Sequence, residues 1–216
     1  MSEPELKHSV RSGLVYRFRE GTGEDEPPTF LLHGLGGDED SMWTLEHGLK
    51  PGGLKISPRA LFENAGNGYS WVKQPLQGWP TSEDFAPAVR ALVNLTKELE
   101  DEVGLQREDL FLMGFSQGAA LAFAAATNPE LRPKAIIAAA GFLPKGDFTD
   151  LRGLPIFWGH GTRDEWIPIE KARGDAMILR DFKADIRFCE TDVGHKLGLE
   201  CLDGLDGWIE EILSSR

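Results

Sequence analysis

Cysteine is nearly absent from this chain of 216 residues, with Cys189 and Cys201 the only two. So sparse a pair does not make the framework of a small secreted domain. One lies near the end of an apolar run and the other inside a helical pattern, so both are expected as buried free thiols. Long apolar runs are missing too, since no stretch approaches the roughly 20 residues that span a bilayer. The first residues (Met1, Ser2, Glu3, Pro4, Glu5) are acidic where a secretory leader would be basic. A cytoplasmic protein with no stable membrane insertion is expected. Positive charge is scarce: 23 Lys and Arg stand against 35 Asp and Glu, a formal charge of −12. That balance argues against nucleic acid as a partner. The acid is spread over Glu24 to Glu26, Asp38 to Asp40, Glu98 to Glu102 and Glu210 with Glu211, as solvated loops and helix faces would have it. No repeat, linker or low-complexity segment divides the chain. A single domain over residues 1–216 is expected, large enough to bury about 70% of its unfolded surface without metal or disulfide.

What the chain does have is an alternation of strand and helix signals. After a polar start, Leu14 to Arg19 alternates like a strand with one wet face, and Gly21 to Pro28 reads as a turn-rich connection, so an antiparallel hairpin at a sheet edge is predicted. Thr29 to Leu32 is a short apolar strand, and Lys55 to Phe62 a second. Thr81 and Ser82 are candidate caps for a helix over Ser82 to Val103 with Phe85, Val89, Leu92, Val93, Thr96, Leu99 and Val103 on one stripe. Strands at Leu110 to Gly114, Lys134 to Ala140, Leu154 to Trp158 and Ile186 to Glu190 follow. Between and after them come helices at Ala119 to Thr127, after Pro168, and around Leu202, Leu205, Ile209 and Ile212. Continuous apolar strands suit a sheet covered on both faces. The order predicts an α/β three-layer sandwich with a mostly parallel central sheet, whose ligand sites lie beyond the carboxyl ends of its strands. The segment from Gly66 to Pro80, with Trp71, Leu76 and Trp79, is a loop rich in both glycine and aromatics.

The pentapeptide Gly114-Phe115-Ser116-Gln117-Gly118 joins a predicted strand to a predicted helix. In a nucleophile elbow the glycines let strand and helix approach, and the serine between them is held in a strained conformation above the sheet. A serine hydroxyl needs a base, and the base needs an acid to orient it. Of the five histidines, His8 and His47 sit in polar contexts, while His33 and His160 follow apolar strands. Only His195 combines a loop beyond the last strand with a following helix. The acid is Asp164 or its neighbour Glu165, just past the strand that ends at Trp158. Ser116, Asp164 and His195 fall in the chain order Ser, acid, His of α/β-hydrolases. Oxyanion donors are available at the backbone N–H of Gln117 and in the turn His33-Gly34-Leu35-Gly36-Gly37, with Leu35 the best placed.

The strings Leu32-His33-Gly34-Leu35-Gly36-Gly37-Asp38, Gly114-Phe115-Ser116-Gln117-Gly118, Gly159-His160-Gly161-Thr162-Arg163-Asp164 with Ile167-Pro168, and Gly194-His195 resemble the phospholipase/carboxylesterase family of small α/β-hydrolases, which includes the acyl-protein thioesterases. The resemblance runs from about Phe30 to the C-terminus. It implies Ser116 as nucleophile, Asp164 as acid, His195 as base and the Leu35 and Gln117 amides as oxyanion hole, with no cofactor and no metal. No segment is long enough for a cap domain. The loop around Trp71 and Trp79 is more similar to the bacterial carboxylesterase branch than to the eukaryotic thioesterases.

The expected activity is hydrolysis of short- to medium-chain carboxylic esters through an acyl-enzyme, with Trp71, Trp79, Phe142, Leu143 and Trp166 around the substrate. An acyl-protein thioesterase or lysophospholipase is the near alternative, and a catalytically silent binding module the distant one. The partner is a small ester or thioester, and a homodimer is left open.

Overall fold

In a computed structural model, residues 3–22, 27–46, 52–75, 77–148 and 151–214 are described. His47, Leu76 and the acidic residues 24–26 lie outside them. Among the described residues, eight strands form one sheet: β1 (Glu5–His8), β2 (Val15–Arg19), β3 (Thr29–Leu32), β4 (Lys55–Pro58), β7 (Phe111–Phe115), β8 (Ala135–Ala139), β9 (Pro155–Gly161) and β10 (Asp185–Thr191). Their spatial order is β1-β2-β4-β3-β7-β8-β9-β10. β2 is antiparallel to β1 and β4, and every pairing from β4 to β10 is parallel. This is the α/β-hydrolase fold, and no cap domain interrupts it among the described residues.

Alternation along the strands sorts side chains between two cores. Phe30, Leu32, Leu112, Ile136, Ala138, Ile156 and Trp158 point to one face, where they meet α2 (Ala86–Val103), α3 (Gln117–Ala126) and α4 (Ile169–Asp181). Leu31, Phe111, Met113, Ile137 and Phe157 point to the other, against Leu205, Trp208 and Ile209 of α5 (Leu199–Ser214). Each fully buried residue of this size contributes about 1.5–3 kcal/mol, so both layers are needed. The short α1 (Trp43–Glu46) follows β3 on the α5 side, where Met42 is buried. Among the described residues no helix is long and apolar enough to cross a membrane.

Three local expectations are corrected. The strand over Lys55 to Phe62 stops at Pro58: Arg59 N–H still reaches Val15 O of β2, but the next donor, Ala60 N–H, turns to the His33 ring. Phe62 and Glu63 (β5) pair instead with Tyr69 and Ser70 (β6) in a separate two-stranded sheet. The second helix begins at Ala86 rather than Ser82, since Thr81 and Asp84 bond each other in a turn of their own. Most consequentially, Cys189 and Cys201 are joined in a disulfide with Cα atoms 5.8 Å apart, so the expectation of free thiols fails. Separation along the chain hides this contact. The turn after β10 folds α5 back onto the same face of the sheet, and the first turn of the helix meets the strand it came from.

Candidate active site

Because the strands from β3 to β10 run parallel, their carboxyl ends lie along one edge. Ser116 follows β7, Leu35 comes three residues after β3, Asp164 three after β9, and His195 four after β10. Ser116 has φ 53° and ψ −115°, a left-handed backbone that costs a residue with Cβ about 1–3 kcal/mol. Two glycines make the turn feasible. A Cβ on Gly114 would collide with the backbone of Gly118 and Ala119, and one on Gly118 with the Leu32 carbonyl. Gln117 is the first residue of α3, so its N–H has no intrahelical acceptor. Among the described residues neither that amide nor the Leu35 amide is taken by a carbonyl. Gly34 lets the first turn approach the nucleophile: a Cβ there would stand 3.3 Å from Ser116 Cβ.

Asp164 is buried, and its Oδ1 accepts the N–H groups of Trp166 and Ile167, both at 2.9 Å. Its Oδ2 accepts His195 Nδ1–H at 2.7 Å. Burial alone would raise this carboxyl, but the bonds from Ile167, His195 and Trp166 outweigh it and hold it below its ordinary value. With Nδ1–H committed to Asp164, the His195 Nε2 lone pair is available to take a proton. The His195 side chain is 20% exposed, and its ring packs on Phe115 at 4.9 Å between centroids. Among the described residues no hydrogen bond joins Ser116 Oγ to His195. That contact commonly tightens only when substrate is bound.

His33 and His160 are fully buried and act as struts. His33 donates Nδ1–H to Gly34 O and accepts Ala60 N–H at Nε2, which fixes a neutral tautomer. Burial lowers its proton affinity, and that of His160, whose Nε2–H is 2.9 Å from Ile167 O. The oxyanion turn is tied further by paired bonds from Gly36 N–H to Tyr69 O and from Tyr69 N–H to Gly37 O, and by Arg59 bonded through two nitrogens to Glu39.

The expected substrate residues separate. Trp71 is 0% exposed: its indole N–H donates to His33 O, and its backbone N–H to Gln117 Oε1, both at 2.8 Å. It braces the oxyanion turn from behind, which corrects its expected place as an acyl wall. Trp79 packs on Phe142 under the Lys171 ammonium, Leu143 is buried with its N–H on Asp175, and Trp166 stands 78% exposed beside Asp164. None of the five lines the cleft of about 350 Å³ that opens between the Gly34–Gly37 turn and Phe115 and Lys196, the chain neighbours of Ser116 and His195. Its walls are the turn from Gly34 to Gly37, Met42, Phe115, Lys196 and Leu197. Phe115 and Lys196 were within view, as immediate neighbours of Ser116 and His195. Met42 carried no local signal.

The sequence profile of the phospholipase/carboxylesterase family matches residues 20–210. The chain belongs to this family. Among curated relatives, a rice (Oryza sativa subsp. japonica) protein named a probable inactive carboxylesterase is 33% identical over 141 residues, 61% of this chain and 56% of its own length. Carboxylesterase SOBER1 of Arabidopsis thaliana is 26% identical over 213 residues, covering 86% of this chain and 91% of that one. Acyl-protein thioesterase 1 of Kluyveromyces lactis is 29% identical over 164 residues, 65% and 70% respectively. The chain spans about half the length of several curated relatives it matches. Among solved structures, a carboxylesterase from Mesorhizobium loti superposes with a TM-score of 0.85 at 19% identity, over 97% of this chain and 99% of the other, a likeness of fold.

Proposed function

We propose that this protein is a serine carboxylesterase acting on short- to medium-chain esters through an acyl-enzyme, as a single cytoplasmic domain. The observation that carries the reading is the Asp164–His195 bond standing at the same sheet edge as a strained Ser116 and two unclaimed amides. In this mechanism Ser116 Oγ attacks the ester carbon and its proton passes to His195 Nε2. The oxyanion is held by the Leu35 and Gln117 N–H groups, each such donor worth about 10²–10³ in rate. Collapse expels the alcohol with the proton from His195, and a water activated by the same imidazole releases the acid. The cleft supports a small substrate, because about 350 Å³ is near the lower end of ligand pockets, roughly 300–1,000 Å³.

A thioester would use the same groups, and acyl-protein thioesterases stand among the relatives. Matched oxoester and thioester substrates of two to sixteen acyl carbons test the reading, with Ser116→Ala as control. Turnover peaking at short to medium oxoesters and lost in Ser116→Ala supports it. A preference for palmitoyl thioesters favours the thioesterase, and no turnover by folded protein favours a silent relative like the one in rice.

A further inference from the structure

We infer that the Cys189–Cys201 disulfide is a positioning element for His195, and that opening it slows the chemistry at Ser116. The inference rests on the reading of His195 as the base. His195 lies six positions from each of the chain's two cysteines, at the middle of the segment that the bond closes. The two halves of that segment are held differently. On the strand side, Thr162 N–H bonds Thr191 O at 2.8 Å and Arg163 N–H bonds Val193 O at 3.0 Å. From Gly194 to Gly198, among the described residues, the backbone bonds stay within the segment and the first turn of α5: Lys196 N–H to Gly194 O, and Leu202 N–H to Gly198 O. The helix-side half is therefore held by the His195–Asp164 bond, by the His195 ring on Phe115, by Leu197 and the buried face of α5 in the core, and by the disulfide that anchors the start of α5 to β10. The fit beneath is close. A Cβ on Gly161 would collide with Gly194 O, one on Gly159 with the Leu197 side chain, and one on Gly198 with Thr191. A small outward shift of α5 would lift Leu197 and carry the imidazole away from Ser116.

A dithiol reduces the bond in two exchanges. One of its thiolates attacks the half-buried Cys189 sulfur and releases the Cys201 thiolate; the second closes the reductant into its own disulfide, and two electrons and two protons leave Cys189 and Cys201 as thiols. The thiol pools of the cytosol, the compartment proposed above, would hold the pair open and the base in its slower state, and oxidising conditions would close it, so redox conditions would set the state of the base.

The test compares oxidised protein, protein reduced with dithiothreitol, and the Cys189→Ser and Cys201→Ser variants. Turnover of p-nitrophenyl butyrate and backbone hydrogen exchange over residues 192–198 are measured on each. Circular dichroism establishes that α5 stays folded. On reduction, kcat should fall about tenfold to a hundredfold with KM nearly unchanged, since a displacement near 1 Å costs about 10². Exchange over 192–198 should rise, and reoxidation should restore both in the unmutated protein alone. Unchanged kcat in folded, reduced protein overturns the inference, as does exchange that reduction does not alter. Absence of turnover in both states is a failure of the hydrolase reading, and the exchange measurement then still decides whether the bond positions this loop.

Discussion

The two sides of the catalytic edge are built to different standards of rigidity. On the oxyanion side, the turn from His33 to Gly37 is braced by a buried histidine, a buried tryptophan, a two-stranded hairpin and the Glu39–Arg59 pair. On the base side, His195 sits in a loop whose helix-ward half rests on one side-chain bond to Asp164, one ring contact with Phe115, one buried leucine and a disulfide. The difference follows the chemistry. Oxyanion donors must already be in place when charge develops, since their value lies in needing no reorganisation. An imidazole that takes and returns a proton must meet Oγ, leaving group and water in turn, and the looser mounting suits it.

Asp164→Asn should break the base side hardest. The substitution orients the wrong tautomer of His195 and should cost up to about 10⁴ in kcat, as measured by steady-state ester hydrolysis. Glu165→Gln, one residue on and exposed, should change little. On the oxyanion side, Gln117→Ala keeps the backbone donor but strips the partner from the buried Trp71 N–H, an unsatisfied group worth about 1–3 kcal/mol. A lowered Tm with a fall in kcat much smaller than for Asp164→Asn is expected. An equal loss would mean that the bracing on this side carries as much of the catalysis as the base does.

Smaller effects sharpen the contrast. Met42→Ala should enlarge the cleft and move the preferred ester towards longer chains, by roughly fourfold in kcat/KM for each methylene newly accommodated. A chain-length profile that does not move would place the acyl group elsewhere. Acid should loosen the oxyanion side through His33 and the Asp164 loop through His160. Burial holds His33 and His160 in their neutral forms, with proton affinities below the ordinary value of about 6.5. Between that value and their lowered ones the unfolded chain binds more protons than the folded one, so stability rises with pH there and drops as pH falls below about 6.5. Denaturant melts from pH 7.5 to 5 should show this slope, and His33→Asn should flatten it.

Much of this was legible from residue types and their order. The elbow could be read because Gly114 and Gly118 are demanded by collisions that any side chain would suffer, and strand ends read at Leu32, Gly114 and Trp158 locate the turns that follow, although two of the strands run on to Phe115 and Gly161. Alternation could not show β1, a charged edge strand whose side chains are largely wet. Nor could it show whether an aromatic residue faces a pocket or a core: Trp71 lies in a glycine-rich loop yet is fully buried, because its two N–H groups find acceptors in His33 and Gln117. The disulfide depended on the angle at which α5 returns to β10, a tertiary fact that a separation of twelve positions along the chain does not encode.

The central claim is that Ser116 is an activated nucleophile, and covalent capture measures it most directly. Incubation with a fluorophosphonate, followed by peptide mass spectrometry, should place one phosphonyl group on Ser116 for each chain. Labelling should be abolished in Ser116→Ala and much slowed in His195→Ala. Folded protein that stays unlabelled, or carries the group on another residue, would contradict the account.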